Sequence, residues 1–389
     1  MAAIEFRNIR VEPGRLDIDC TEWVDSVRRE IGLWFTFEEF VPAPDRIAVV
    51  LAALCGRAYD HLTFDLALTP RVIGELGSFT HAEITCDEAA AVAEDPPGGG
   101  VILSFSGGFD SLAALGLLGE SCVPLSTDWG SWHDREAESF GGFSPRLLRT
   151  NVRRALATDR NSWTFMGCGA ILYAGYLGCS GLVFGTVMED SFGAVRRGKP
   201  LATSRVPPFD SVGLTNYRVV HALTEVGTAM CCEAFYPELV QRSLASVGAA
   251  GSTKRYRKEL LVEAIRSRHG RPSGVPPEFH PPARPLAWGE SIVDDFVCFY
   301  LLPEVGELAV ARLVSGVPAV VPSLAGRLDL TLYERVMPDL VTLPPTLDES
   351  AYYAKLGRAG ITPWTDDDWA EFESIVEVLR DFHPVPVRF

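Results

Sequence analysis

Residues 101–118 read Val101-Ile-Leu-Ser-Phe-Ser-Gly-Gly-Phe-Asp-Ser-Leu-Ala-Ala-Leu-Gly-Leu-Leu118. The apolar residues at the start of this run predict a buried strand, and the Leu and Ala residues at its end predict a helix. Gly107 and Gly108 can adopt backbone conformations that are closed to other residues and let an anion approach closely. A glycine-rich turn between a strand and a helix exposes several backbone N–H groups at the positive end of the helix. Residues 106–111, the glycine loop, are therefore predicted to bind phosphate.

Three side chains of the glycine loop bear on this prediction. The hydroxyl groups of Ser106 and Ser111 can donate hydrogen bonds to phosphate oxygens. Asp110 is unexpected there, because a carboxylate repels a phosphate. It is consistent with phosphate binding if the carboxylate holds a bound cation or caps the helix. The alternative is a tight strand-to-helix turn with serine caps and no ligand.

The string Ser106-Gly-Gly-Phe-Asp-Ser111 resembles the Ser-Gly-Gly-x-Asp-Ser signature of the PP-loop ATP pyrophosphatases, the adenine nucleotide α hydrolase-like superfamily. Its position between a strand and a helix is the context that such a motif requires. Enzymes of this superfamily, such as asparagine synthetase and 7-cyano-7-deazaguanine synthase, split ATP between the α and β phosphates and pass AMP to a substrate oxygen. The resemblance implies an α/β fold with a parallel, doubly wound, Rossmann-like sheet of the HUP type, and it implies ATP and Mg²⁺ as ligands.

The same resemblance implies roles for individual residues. The residues expected to bind ATP are Ser104, Ser106, Gly107, Gly108, Phe109, Asp110, Ser111, Ser126, Thr127, Asp128, Gly185 and Thr186. Asp110, Glu189 and Asp190 are expected to hold Mg²⁺, which prefers a few carboxylates together with phosphate oxygens and water. Asp110, Lys254 and Lys258 are expected to act in catalysis, the lysines by contacting phosphates. The alternatives are a solvated acidic loop for Glu189 and Asp190 and a solvated surface position for each lysine.

The composition and the net charge of the chain restrict the functional classes to which the protein can belong. The chain has 389 residues, is 47% hydrophobic and 22% charged, and carries a formal net charge of −16. This charge disfavours a nucleic-acid substrate, because such a protein needs a broad cationic face. The longest apolar run, residues 47–55, is too short to span a bilayer, and no basic-then-apolar leader opens the chain. These features predict a cytoplasmic enzyme that acts on a small molecule, without a membrane segment.

The chain is predicted to contain four regions. Residues 1–98 are expected to form an N-terminal α+β domain, and residues 99–269 the ATP pyrophosphatase domain. Residues 270–287 carry six prolines and are expected to be a connector. Residues 288–389 are expected to be mainly helical. Within residues 101–268, predicted strands alternate with predicted helices, which favours a parallel sheet covered on both faces.

Individual elements are predicted from local patterns. Residues 4–11 alternate like a half-buried strand, and residues 21–31 have apolar side chains at helical spacing. Ser144-Pro145 has the residues favoured at the start of a helix. Residues 365–368 resemble a capping box that opens a last amphipathic helix. For the adjacent Cys231 and Cys232, we expect one thiol in the core and one outside it.

The leading functional hypothesis is an ATP-dependent ligase. A carboxylate or amide oxygen of a small substrate attacks the α-phosphorus of ATP, pyrophosphate leaves, and an amine or ammonia then displaces AMP. A separate protein that donates the amine or the sulfur is compatible with the sequence, as is a homodimer.

Two alternatives remain open at this point. One is sulfur transfer to an adenylated small molecule, with a persulfide on Cys168, Cys179, Cys231 or Cys232. The nine cysteines contain no Cys-x-x-Cys pair, and most of them lie in apolar runs typical of buried side chains. The other alternative is a sensor or scaffold that binds a nucleotide without turning it over.

Overall fold

The computed structural model describes residues 2–87, 98–130, 142–156, 161–195, 197–198, 206–270 and 279–384. The strands in these residues are β1 (Ala3–Glu12), β2 (Arg15–Val24), β3 (Val27–Thr36), β4 (His61–Phe64), β5 (Glu83–Cys86), β6 (Gly100–Ser104), β7 (Val123–Asp128), β8 (Arg146–Thr150), β9 (Cys179–Val183), β10 (Thr215–Tyr217), β11 (Leu286–Ala287) and β12 (Val314–Ser315). The α-helices are α1 (Pro44–Cys55), α2 (Pro70–Thr80), α3 (Phe109–Leu118), α4 (Val152–Ala155), α5 (Cys168–Leu177), α6 (Pro207–Asp210), α7 (Glu225–Phe235), α8 (Val240–Val247), α9 (Thr253–Arg268), α10 (Ile292–Val305), α11 (Glu307–Leu313), α12 (Val320–Ala325), α13 (Glu349–Arg358) and α14 (Asp366–Arg380).

Ten strands form one sheet in the order β10-β9-β6-β7-β8-β3-β2-β1-β4-β5. The neighbours from β10 to β8 pair in parallel, as do β1, β4 and β5. The three pairs from β8 to β1 are antiparallel. The fold is therefore α/β with a large, mostly parallel sheet, as predicted. Strands from both sides of the predicted boundary at residue 98 belong to this sheet, and the division into four regions stays a prediction.

The order of the strands reverses next to β6. From β6 the chain proceeds to β7 and β8 on one side, and then returns to β9 and β10 on the other side. In open α/β sheets, ligands bind at the carboxyl ends of the strands where the order reverses. The glycine loop follows β6 and residues 184–187 follow β9, so both segments lie at this reversal.

Helices cover both faces of the parallel half of the sheet. Along β6, Val101 and Leu103 pack into one apolar cluster with α3, α7 and α9. Ile102 points to the opposite face and packs into a second cluster with α1 and α5. This alternation follows from strand geometry, in which successive side chains point to opposite faces. The prediction of a sheet covered on both faces is confirmed.

The described chain beyond residue 288 is mainly helical, and α10–α14 belong to the same apolar cluster as α3 and α7. The last helix begins with the predicted capping box. The amide of Asp368 donates to Thr365 Oγ1 at 3.4 Å, and the amide of Thr365 donates to Asp368 Oδ2 at 2.6 Å. No helix in the described parts of the chain combines the length and the apolar character needed to cross a membrane.

Two predicted helices are wrong. Residues 21–31 belong to β2 and β3, which form a hairpin in which Val24 pairs with Val27. The residues after Ser144-Pro145 form β8, which pairs with β7 and with β3. In both cases pairing with neighbouring strands overrides a local helical signal, because tertiary context routinely outweighs intrinsic propensity.

Candidate functional site

A cavity of about 730 Å³ opens at the carboxyl ends of β6, β7 and β9. Small-molecule sites in proteins have volumes of roughly 300–1,000 Å³. The cavity brings together many of the residues predicted from the sequence. Those that line it are Ser104, Ser106, Gly108, Phe109, Asp110, Ser111, Thr127, Gly185, Thr186, Asp190 and Lys254.

The carbonyl groups from residue 105 to residue 108 each accept a hydrogen bond from a serine hydroxyl group. The donors, in that order, are Ser126 at 2.7 Å, Ser246 at 3.2 Å, Ser243 at 3.0 Å and Ser111 at 3.0 Å. Carbonyl oxygens would repel an anion, and these hydroxyl groups occupy them. The amides of Ser106 and Gly108 donate within the loop, to Ser111 Oγ at 3.3 Å and to Ser106 Oγ at 3.4 Å. A phosphate would compete with these two hydroxyl groups for the amides.

The start of α3 supplies further donors. The helix begins at Phe109 with Gly108 at the N-cap, and its first intrahelical bond runs from the amide of Leu112 to the carbonyl of Gly108 at 2.9 Å. The amides of the first turn precede this bond and have no intrahelical acceptor. Phe109, Asp110 and Ser111 line the cavity. The positive end of the helix dipole therefore favours an anion at this wall.

A chain of buried ion pairs lies behind the glycine loop. Lys258 Nζ is 3.0 Å from Asp110 Oδ1 and 3.5 Å from Glu225 Oε2. Arg257 donates to both carboxylate oxygens of Glu225 at 2.8 and 2.9 Å, and to Asp294 Oδ1 at 2.6 Å. The chain of charges thus joins α3, α7, α9 and α10.

Glu225 and Lys258 favour their charged forms. Burial alone would raise the pKa of Glu225, but Lys258 and Arg257 lower it below its ordinary value. Burial alone would lower the pKa of Lys258, but Asp110 and Glu225 raise it above its ordinary value. An opposite charge at hydrogen-bond distance outweighs desolvation in both groups.

The three residues predicted to hold Mg²⁺ do not all face the cavity. Asp110 and Asp190 line it. Glu189 is buried and accepts a hydrogen bond from the amide of Glu225 at 2.9 Å. Burial and the charge of Glu225 raise the pKa of Glu189, which favours a neutral carboxyl group.

Among the described residues, no group of three or more His, Cys, Asp or Glu is arranged to hold a metal ion. Two carboxylates fit Mg²⁺ only if phosphate oxygens and water complete its shell.

Four other predicted residues lie outside the lining that the described residues provide. Gly107 forms the turn itself with a φ of +76°, a left-handed conformation that glycine adopts readily. Ser126 is buried and holds the carbonyl of Phe105. Asp128 accepts from the amide of Gly130 at 2.9 Å and lines a smaller cavity of about 180 Å³. Lys258 is buried behind Asp110.

Sequence reasoning missed several lining residues. The lining residues not predicted include Trp129, Arg153, Phe165, Phe184, Glu225, Arg257, Ser291 and Asp294. Trp129 and Phe165 meet edge to face with ring centroids 5.1 Å apart. Trp129 directly follows the predicted Asp128, and Arg257 directly precedes the predicted Lys258. Their positions next to predicted site residues could have indicated that Trp129 and Arg257 lie at the cavity. Ser291 and Asp294 reach the cavity only through packing of the C-terminal helices.

All nine cysteines are free thiols in the described part of the chain, and none of them is among the residues that line the cavity. Cys231 and Cys232 are both 0% exposed. The expectation that one lies outside the core is wrong, because α7 is enclosed by α3, α9 and the C-terminal helices. Burial raises the pKa of Cys179 to about 11 and raises those of Cys168, Cys231 and Cys232 further above the ordinary value.

None of the family models, curated proteins or solved structures that were compared with the chain matches it.

Proposed function

We propose that the chain is an ATP-dependent ligase of the PP-loop ATP pyrophosphatase type. It adenylates a carboxylate or amide oxygen of a small molecule with release of pyrophosphate, and an amine or ammonia then displaces AMP. The observation that supports this most strongly is the glycine loop. It carries the Ser-Gly-Gly-x-Asp-Ser signature, lies where the strand order reverses, and has its carbonyl oxygens occupied by serine hydroxyl groups.

The phosphates of ATP would lie against the glycine loop and the first turn of α3. Lys254, at the start of α9, is exposed, lines the cavity and has no ion-pair partner within the described residues. Its ammonium group is thus available to a phosphate. Asp110 and Asp190 are the side chains that would hold Mg²⁺. When bound, the metal ion would neutralise charge on the leaving pyrophosphate.

The adenosine half would lie toward the ends of β7 and β9. Trp129, Phe165 and Phe184 provide an apolar, aromatic wall there. Thr127 and Thr186 provide hydroxyl groups beside it. A mostly apolar wall with a few polar groups is typical of a site that binds a planar base.

The remaining part of the cavity would hold the acceptor. Its walls come from Leu286, Ser291 and Val293, at the entrance to the C-terminal helices. In the first step, a bond forms between the acceptor oxygen and the α-phosphorus while the bond from that phosphorus to pyrophosphate breaks. In the second, the amine nitrogen attacks the acyl carbon, and the bond to AMP breaks. The protein contributes mainly orientation and charge neutralisation.

Exchange of radiolabelled pyrophosphate into ATP tests the proposal, with a panel of small carboxylic acids as acceptors. We expect acid-dependent exchange by the wild type and none by Asp110→Asn. Asp19→Asn, an exposed position on β2 far along the sheet from β6, is the matched control and should retain exchange. Undiminished exchange in Asp110→Asn would contradict the proposal. Nucleotide binding without exchange in every mixture would favour a non-catalytic sensor instead.

A further inference from the structure

The carboxylate of Asp110 lies in the glycine loop, whose other groups favour binding of an anion. Its Oδ1 atom accepts two hydrogen bonds from the side away from the cavity, one from Thr228 Oγ1 at 2.7 Å and one from Lys258 Nζ at 3.0 Å. The same carboxylate lines the cavity. Asp110 is therefore held by the protein on one side and faces the ligand space on the other.

Lys258 is enclosed by partners that keep it charged. Its side chain is 0% exposed, and its ammonium group lies 3.5 Å from Glu225 Oε2 and 5.8 Å from the centre of the Phe109 ring. Lys258 is not among the described residues that line the cavity. Its position behind the loop gives it a contact with Asp110 but none with a ligand in the cavity.

We propose that Lys258 is a positioning residue that neutralises Asp110 from behind, so that the glycine loop binds a pyrophosphoryl group even without a divalent cation. The inference rests on the proposed function for the identity of the anion. It differs from the expectation that Lys258 contacts the phosphates.

The charges of Asp110 and Lys258 predict how this ion pair affects the affinity of the glycine loop for an anion. Like charges a few ångströms apart repel strongly where water is excluded. With Lys258 present, the pair with Asp110 has no net charge. Without Lys258, the carboxylate of Asp110 would add an uncompensated negative charge to the loop. No cation would then lie between Asp110 and Glu225, although Glu225 would keep its ion pair with Arg257. Without Asp110, Lys258 would add a positive charge.

Titration calorimetry with inorganic pyrophosphate in the presence of EDTA measures this effect directly. The affinity should fall by about tenfold or more in Lys258→Met, because a buried charge pair loses its cation. It should rise in Asp110→Asn. In the double variant Lys258→Met/Asp110→Asn, which removes both charges, the affinity should return toward the wild-type value.

The double variant separates charge neutralisation from a merely structural role. If Lys258 only supports packing, removing Asp110 as well cannot restore binding, and an affinity at or below that of Lys258→Met would overturn the inference. If Lys258→Met fails to fold, the other two variants still test the inference. It requires that Asp110→Asn binds pyrophosphate more tightly than the wild type and that the double variant binds it with an affinity near that of the wild type. Removing both partners is less disruptive than leaving one buried charge unpaired.

A repeat of the titrations with excess Mg²⁺ gives a second readout. The gain in affinity on adding Mg²⁺ should be larger in Lys258→Met than in the wild type, because only the variant has an unpaired Asp110. Equal gains would overturn this inference while the proposed function stands. A wild type that binds neither pyrophosphate nor ATP under any condition would overturn both.

Discussion

Gly185 approaches the first turn of α3 so closely that a Cβ atom on it would lie 2.6 Å from the amide nitrogen of Ser111. The same atom would lie 2.8 Å from the carbonyl carbon of Asp110. Both neighbours are backbone atoms, so no side-chain rotation can relieve the contact. The segment after β9 and the start of α3 are therefore fixed against each other where the strand order reverses, and both segments line the cavity.

The substitution Gly185→Ala should displace the first turn of α3. We expect a loss of about 1–3 kcal/mol in the free energy of unfolding, typical of overpacking, together with weaker nucleotide binding. Urea unfolding and titration calorimetry measure the two effects. Gly74→Ala in α2, where an added Cβ would meet nothing within 4 Å, is the control and should not weaken either property. A Gly185→Ala variant that matches the wild type in both would refute the close contact.

The substitution Ser243→Ala should leave the carbonyl group of Gly107 without its hydrogen bond from α8. An unsatisfied buried acceptor costs about 1–3 kcal/mol, and a freed carbonyl oxygen repels an anion in the loop. We therefore expect lower stability and lower nucleotide affinity. Ser374→Ala, which removes a comparable bond to the carbonyl of Ala370 on the exposed side of α14, should change neither. Unchanged nucleotide affinity in Ser243→Ala would show that the loop carbonyls do not matter for binding.

Removal of Arg257 should lower the free energy of unfolding, because the buried carboxylates of Glu225 and Asp294 would lose the cation that pairs with both of them. For Arg257→Met we expect a loss of about 3–5 kcal/mol in the free energy of unfolding, as for other broken buried ion pairs. Arg28→Met breaks the exposed pair with Glu30 and should cost about 1 kcal/mol or less. Equal losses in the two variants, measured by urea unfolding, would contradict the description of the ion pairs as a buried chain.

His221 should make the protein sensitive to acid. Burial and the charge of Arg218 lower its pKa to about 4, whereas an unfolded histidine titrates near about 6.5. Between these values the unfolded state binds more protons than the folded state, so stability is lost as the pH falls through this window. The contribution between about pH 7 and about pH 5 is about 2 kcal/mol. His221→Gln should lose correspondingly less stability than the wild type over that range, and an identical loss would show that His221 does not titrate as described.

Local sequence predicted the features that depend on local geometry. The β6–glycine loop–α3 unit and the capping box of α14 were predicted in place, because strand pattern, glycine turn and cap act over a few residues. The strands β2, β3 and β8 were missed or mistaken, because their identity depends on partners far along the chain.

Burial of charged side chains was the harder part of the site to predict. Lys254 and Lys258 are four residues apart on one face of α9, yet Lys254 is exposed at the cavity and Lys258 is fully buried. The difference arises from α7 and α3, whose carboxylates surround the second lysine. No pattern within α9 contains that information. The serines of α8 that hold the loop carbonyls were missed for the same reason.

The glycine loop is proposed to bind the phosphates of a nucleotide, and substitution of Gly108 tests this binding most directly. Its φ of −78° suits any residue, and an added Cβ would lie 3.5 Å from Ser106 Oγ and 3.8 Å from Val247 Cγ2, which are ordinary contacts. Gly108→Leu should therefore fold normally while its side chain occupies the loop side of the cavity. Titration calorimetry with α,β-methylene-ATP and Mg²⁺ should give saturable binding to the wild type and none to Gly108→Leu. Binding of equal affinity by the two proteins, or no binding by the wild type, would contradict the claim.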